Sequence, residues 1–495
     1  MSAQPRSLAS QLLELTRHSA IYGIGGLASR FLSVLMLPLY TSYVSPGDYG
    51  RIELLMATMA VAVVVIRGGA NFGFIRFYLL EKDPDYRRRL IRTVFWTQMA
   101  YSTFTLAVCI ALAPQIAELL GVTNKGPDLQ GSGARLVTAT AVLLWVNVNY
   151  SQMTNLFRAE KRSVAFSLAT LANIAVTVGL TVLLVVVYHE GPLGIIVGNL
   201  SGTLLVWAAL LVYRREQLGL QWDGKLLRSM NRFGVPLMVA ALAMWVTSFS
   251  DRLLISKLLH GSYRLIELGQ YSLANKISSA MVLLFTAFQI AWPAFAYSIE
   301  DEKEAKRAYA FVLTYLMLIA AWAALALSLF APWLAHWLGR KSGYWPAATA
   351  IPPLAFASVF FAGFIVVTIA AGRTRRTQFN WIAASLAAVL NISLNLWLIP
   401  AYGMLGAAYS TLSAYALLMV IRTWNAQKLF RVAYQWRRVA TVLLAAGALT
   451  GIGQFHHSLP LAFALTLAYP LVLAALGFYL PAERRKLRRL LPARN

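Results

Sequence analysis

Apolar residues run along this chain in long blocks separated by short polar stretches. A helix needs about 20 apolar residues to cross a hydrocarbon core about 30 Å thick. Fourteen blocks reach that length, near residues 18–44, 52–80, 92–120, 135–157, 164–188, 193–213, 235–259, 270–298, 307–337, 346–371, 378–399, 402–424, 438–456 and 460–480. Helix-breaking clusters divide them, among them Ser45-Pro46-Gly47-Asp48, His189-Glu190-Gly191-Pro192 and Ile399-Pro400-Ala401-Tyr402-Gly403. The pattern predicts an all-α, polytopic membrane protein with about 14 transmembrane helices and no room for a soluble domain. The first block is expected to be a span and not a cleavable signal, because it is too long and carries Arg30. Residues 7–19 read as a short amphipathic surface helix or an extension of that span.

Internal repetition organises these spans. Arg30 precedes Gly47-Asp48-Tyr49 by the same spacing that separates Arg252 from Gly269-Gln270-Tyr271. Farther along, Gly191-Pro192-Leu193-Gly194 matches Gly403-Met404-Leu405-Gly406, and Leu200-Ser201 matches Leu412-Ser413. Two parallel six-helix repeats follow, and two such bundles enclose a central cleft suited to alternating access. The expected organisation is a cytoplasmic segment 1–17, a first bundle 18–213, a linker 214–234 and a second bundle 235–424. Two extra C-terminal helices occupy 425–480, and a basic tail occupies 481–495. The extra pair, rich in Ala, Gly and Leu, reads either as a groove for a lipid tail or as plain packing.

Composition agrees with a membrane setting: 59% of residues are hydrophobic and only 13% charged. Lys and Arg number 44 against 19 Asp and Glu, a net charge of +25. With both termini placed in the cytoplasm, 32 of those cations fall in cytoplasmic segments, Arg422 among them, and six in outer segments, Arg51 among them. That asymmetry obeys the positive-inside rule, so the basic excess sets topology and does not point to nucleic acid. Cys109 is the single cysteine, which excludes an internal disulfide. His456-His457 reads as an interfacial pair with no third metal ligand in the sequence nearby.

Inside the spans remain six cations, Arg30, Arg67, Arg76, Arg252, Lys257 and Lys276, against two acids, Glu53 and Asp251. A charge in hydrocarbon seeks a wet cavity or a partner, so the surplus calls for an anion or for water. Arg76 lies near a span end and is expected to snorkel; Lys257 and Lys276 can snorkel or face the cleft. Arg30, Arg67 and Arg252 are the candidate cationic cavity. Arg67 also opens the stretch Arg67-Gly68-Gly69-Ala70-Asn71-Phe72-Gly73, whose glycines predict either a broken helix or close helix packing. Asn147, Asn149, Asn155, Asn173, Asn391 and Asn395 are candidate sugar contacts or interhelical hydrogen bonders. Glu53 and Asp251 are the candidate groups for coupling to H+ or Na+; no other cofactor is expected.

Two segments carry a family resemblance: Ser29-Arg30-Phe31-Leu32…Pro38-Leu39-Tyr40…Gly47-Asp48-Tyr49-Gly50, and Ser250-Asp251-Arg252-Leu253-Leu254-Ile255…Gly269-Gln270-Tyr271-Ser272-Leu273-Ala274-Asn275-Lys276. With the fourteen spans and the repeat, the chain resembles the polysaccharide branch of the multidrug/oligosaccharidyl-lipid/polysaccharide (MOP) exporter superfamily, the Wzx-type flippases. The resemblance implies flipping of an undecaprenyl-(pyro)phosphate-linked oligosaccharide across a bacterial inner membrane during polysaccharide biosynthesis. It also implies surrounding membrane lipids and a polysaccharide polymerase or export machinery as partners. Drug exporters of the superfamily use intramembrane carboxylates, which are scarce here. Lipid II flippases share the plan and are the alternative. A membrane polymerase or glycosyltransferase is disfavoured by the short outer loops and the lack of a catalytic motif.

Overall fold

The computed structural model describes residues 31–122, 132–261, 263–373, 379–456, 458–481 and 483. Arg30, the stretch 7–19, His457 and the basic tail from Arg484 lie outside the described residues. Among the described residues the protein is helical, with no strand. The first stretch of chain forms α1 (Leu37–Tyr43), α2 (Pro46–Leu80), α3 (Pro84–Ala111), α4 (Ala113–Leu120) and α5 (Gly133–Ala159). Next come α6 (Ser163–Val182), which ends in a π-helical turn at Leu183–Val187, α7 (Gly191–Tyr213), α8 (Gly224–Leu258) and α9 (Tyr263–Ser278). Then follow α10 (Ala280–Ser298), α11 (Glu302–Leu329), α12 (Ala331–Leu338) and α13 (Ile351–Arg373). The last three are α14 (Phe379–Leu429), α15 (Trp436–Phe455) and α16 (Leu459–Ala475).

Helix is the expected outcome, because a backbone in hydrocarbon must satisfy its own N–H and C=O groups. Each predicted block falls on helix where it is described. By length and apolarity nine helices among the described residues can cross a membrane, with Phe31–Tyr43 and Leu459–Ala475 as shorter apolar helices. That criterion therefore reaches nine and not fourteen. Blocks eleven and twelve form one continuous stretch, α14, broken at Gly403 (φ 57°). Gly191, its counterpart in the sequence repeat, has the same left-handed backbone (φ 55°).

The polar punctuation acts as caps. Ser45 accepts from the Asp48 amide at the start of α2. Asp83 accepts from Asp85 and Tyr86 at α3, and Asp301 from Glu304 at α11. Asp223 receives Lys225 and Leu226, so α8 starts inside the expected linker. Each such cap contributes about 1 kcal/mol.

Contact density divides the chain into two compact units. One holds the described residues up to Leu273 with Leu338–Tyr344 and Ala388–Ala407; the other holds Ala274–Trp337, Trp345–Ala387 and the chain from Ala408 onward. The units are not the sequence repeats, because α8 packs in the first unit against α2. That contact is backbone on backbone. A Cβ on Gly69 would stand 2.7 Å from the Val235 nitrogen, and one on Gly234 would overlap the Gly69 carbonyl. One residue earlier, Gly68 leaves helical geometry (φ 58°, ψ −177°) and breaks α2. Both readings of the glycine stretch therefore hold: Gly68 supplies the break and Gly69 the close approach.

In the second unit, alanines of α11 and α13 (Ala320, Ala321, Ala324, Ala355, Ala362) form a dense core with aromatic rings such as Trp292 and Tyr309. The inner faces of α15 and α16 belong to this core through Val442, Ala446, Tyr469 and Leu473. Trp322 Nε1 also donates to the Thr466 carbonyl at 2.8 Å. The appended pair is thus structural packing on this face. Outward, large apolar side chains such as Phe104, Leu168, Leu444 and Leu471 are exposed, as a lipid-facing surface requires.

The α2–α8 contact gives a test. Gly234→Val should force the two backbones apart and cost about 3 kcal/mol or more, lowering the unfolding temperature in detergent. Gly447→Ala, where a Cβ meets open space, should leave it unchanged. Equal melting of both variants would contradict the contact.

Candidate functional site

Ionic groups that hydrocarbon would expel are gathered in the first unit. Glu53 lies two turns into α2, and Asp251 and Arg252 lie about two turns before the end of α8. Neighbours on a helix diverge by about 100°, so the acid and the cation of the pair Asp251-Arg252 face different partners. Arg252 Nε approaches Glu53 Oε2 at 3.4 Å, with side chains only 7% and 9% exposed. The guanidinium also lies 5.1 Å from the Phe249 ring centroid and donates to the Ser248 carbonyl. Tyr49, one turn before Glu53, hydrogen-bonds the same carboxylate. Arg252 is therefore compensated by Glu53.

Asp251 accepts hydrogen bonds from side chains of α9 and α14. Tyr271 Oη donates to its Oδ2 at 2.5 Å, and Asn395 Nδ2 donates to its Oδ1 at 2.7 Å. Asn395 Nδ2 also reaches Asn391 Oδ1 (3.2 Å), which accepts from Ser250 Oγ at 2.9 Å. The two asparagines are fully buried, and they tie α14 to α8 as interhelical hydrogen bonders. Asn391 Nδ2, Asn395 Oδ1 and Ser272 Oγ remain buried without a hydrogen-bond partner among the described residues. The Asp251 carboxylate thus lies on the same asparagine whose Oδ1 has no partner among the described residues.

Arg67 is a different case. It immediately precedes the Gly68 break, its Nε is buried with no acceptor among the described residues, and the charge that acts on it most is another cation, Arg158. Around the break, Gln98 Nε2 donates to the Ile66 carbonyl (3.4 Å), and Asn71 Nδ2 donates to Gln98 Oε1 (3.1 Å). Side-chain amides thus satisfy backbone exposed by the kink, while the guanidinium is left to something else. Elsewhere in this bundle Asn149 donates to Ser102 Oγ and to the Trp145 carbonyl. Asn173 Nδ2 is buried without a partner among the described residues. Asn147 and Asn155 are half-buried.

The other cations go elsewhere. Lys257 is exposed and donates to the Leu119 carbonyl at the end of α4. Arg76 is exposed, 4.2 Å over the Phe233 ring, in the manner of a snorkelling side chain. Lys276 is half-buried in the last turn of α9. Three groups went unread in the sequence. Arg51, assigned there to an outer loop, is fully buried against Asp48 Oδ1 (3.0 Å) and the Val122 carbonyl (2.9 Å). The i, i+3 spacing of Asp48 and Arg51 at a helix start was the available signal. Arg422, counted with the cytoplasmic cations, is 1% exposed, and its Nε and Nη1 have no partner among the described residues. Tyr49 and Tyr271 occupy equivalent positions of the repeat, and each bonds a carboxylate.

This fold is shared with known transporters. The lipid II flippase MurJ in an inward closed conformation superposes with a TM-score of 0.72 at 12% identity, over 93% of this chain and 99% of that chain. An inward-facing multidrug resistance MATE family transporter of the MOP superfamily superposes with a TM-score of 0.66 at 12% identity, over 86% of this chain and 95% of that chain. An uncharacterised membrane protein of Methanocaldococcus jannaschii is 22% identical over 464 residues, covering 86% of this chain and 88% of the relative. The fold is thus the one these transporters share. Residues 43–339 match the polysaccharide biosynthesis protein family, and the chain belongs to that family.

The buried ion pair makes a two-part prediction. Removing one partner of such a pair costs about 3–5 kcal/mol, whereas replacing both with apolar groups is near neutral. Glu53→Leu alone should therefore lower thermal stability in detergent strongly, and the double variant Glu53→Leu/Arg252→Met should recover most of the loss. Additive losses would contradict the pairing.

Proposed function

We propose that the protein flips an anionic, polyprenyl-(pyro)phosphate-linked oligosaccharide across the inner membrane of a bacterium for surface polysaccharide biosynthesis. It acts as a transporter and catalyses no covalent step. Arg67 carries the reading: a guanidinium held in mid-span beside a helix break, with a second cation as its charged neighbour and a buried Nε that has no acceptor among the described residues. A mid-bilayer arginine costs about 3 kcal/mol on the insertion scale, and an arriving phosphate offsets that cost. The planar guanidinium can donate two parallel hydrogen bonds to phosphate oxygens, which the single ammonium of lysine cannot. Arg30, the repeat equivalent of Arg252, joins Arg67 in this role.

Coupling falls to Asp251. Its neutral donors Tyr271 and Asn395 hold the carboxylate in place, and the unused Asn395 Oδ1 offers a second oxygen to H+-bearing water or Na+. Glu53 is committed to Arg252 and is the weaker candidate. A lipid II flippase is the second reading, supported by the fold likeness to MurJ; the family match favours the polysaccharide substrate.

In cells whose surface glycan depends on this protein, Arg67→Ala should cut glycan export at least about tenfold, the worth of one charge-assisted phosphate contact, at normal membrane levels. Arg67→Lys should retain part of it. Asp251→Asn should abolish export while Tyr271→Phe only weakens it. Full export by both Arg67→Ala and Asp251→Asn would overturn the proposal. Loss of cell-wall precursor with surface glycan intact would transfer it to lipid II.

A further inference from the structure

A second cationic feature lies where α2 ends and α5 turns into α6. The positive-inside bias assigns this end of the bundle to the cytoplasm. Here a cavity of about 500 Å³ is lined by Tyr78, Leu79, Lys82, Arg87, Ala159, Glu160, Lys161 and Arg162. Four of these side chains are cations and one is an acid. Glu160 is already committed: Arg214 Nη1 and Nη2 donate to its two oxygens at 2.9 and 2.8 Å, and Arg162 Nε, on a side chain 56% exposed, lies 3.5 Å from its Oε2.

The cations are arranged for a guest. Arg87 donates from Nε to the Tyr78 and Glu81 carbonyls (3.1 and 2.8 Å) and lies over the Tyr78 ring at 4.7 Å. Those contacts fix the guanidinium plane and leave both Nη groups without a partner among the described residues. Lys161 has a left-handed backbone (φ 59°), a position that glycine fits without steric penalty; what lysine adds there is charge. Lys82 and Lys161 have no acceptor for their ammonium groups among the described residues. Apolar residues flank the cations: Leu79 and Leu80 at the end of α2, and Val164 and Leu168 on the first turns of α6, are 48–69% exposed.

We propose that this cavity is a receptor for a lipid-borne phosphate in the cytoplasmic leaflet. The phosphate sits among Lys82, Arg87, Lys161 and Arg162, and the hydrocarbon chain lies along Leu79, Leu80, Val164 and Leu168. Cations at a membrane surface attract anionic headgroups, and a cavity with an apolar flank selects an amphiphile over a free ion. The phosphate has two sources, an anionic phospholipid of the leaflet or a polyprenyl phosphate on its way to Arg67.

Native mass spectrometry of the full chain released from detergent tests this. The probes are phosphatidylglycerol, undecaprenyl phosphate, phosphatidylcholine and inorganic phosphate, each titrated onto the wild type and onto Lys161→Gln/Arg162→Gln. Arg87 is left intact because it closes the end of α2. The wild type should retain one or both anionic lipids over phosphatidylcholine, and the double variant should weaken that retention at least about tenfold, on the order expected for two surface cations. Retention of both anionic lipids supports a general lipid-phosphate site, and retention of the polyprenyl form alone supports a loading site. Equal retention by wild type and variant overturns the proposal, as does inorganic phosphate competing as well as the lipids do. Glycan export by the same variant, with Arg67 unchanged, separates this result from the flippase reading.

Discussion

A charge carried into hydrocarbon has to be met by a countercharge, by hydrogen bonds or by something that arrives from outside. The first unit answers that requirement repeatedly from within: Glu53 meets Arg252, Asp48 meets Arg51 and Glu160 meets Arg214. Each pair ties separate turns or separate helices together, and each leaves its guanidinium spoken for. Against this background Arg67 stands out because the Gln98 amide serves the broken backbone while the Arg67 Nε has no acceptor among the described residues. The contrast is between arginines whose charge is met inside the protein and Arg67, on which the proposed phosphate contact rests.

The membrane-spanning plan was legible in the sequence because a bilayer leaves helix as the single option for an uninterrupted apolar block. Ser45, Asp83 and Asp301 cap helix starts, since their side chains are short enough to reach the free amides. What the sequence left open is every relation between distant segments. The pairing of Arg252 with Glu53 and not with the adjacent Asp251 follows from helical geometry and tertiary packing, neither of which spacing along the chain reveals. Counting charges placed Arg51 in a loop and Arg422 in a cytoplasmic segment, yet both are buried, because a residue at the edge of an apolar block can face inward.

The glycine stretch after Arg67 was read as either a break or a packing surface. It is both, because Gly68 and Gly69 differ in what they must do: one adopts a positive φ that other residues resist, and the other makes room for the backbone of Asn231 and Val235. Asn391 and Asn395, read as sugar contacts or interhelical hydrogen bonders, share one helix face by their spacing of four. Their engagement with Asp251 and Ser250 depended on α8, far away in the sequence.

The kink at Gly68 has an electrostatic effect beyond bending the rod. Past it, α2 resumes as a new helical run, and peptide dipoles aligned along that run place a partial positive pole at its amino end, next to Arg67. Side chain and main chain therefore contribute to the same local potential. Part of the positive potential at this break is thus written into the backbone, where replacing the arginine alone would leave it in place.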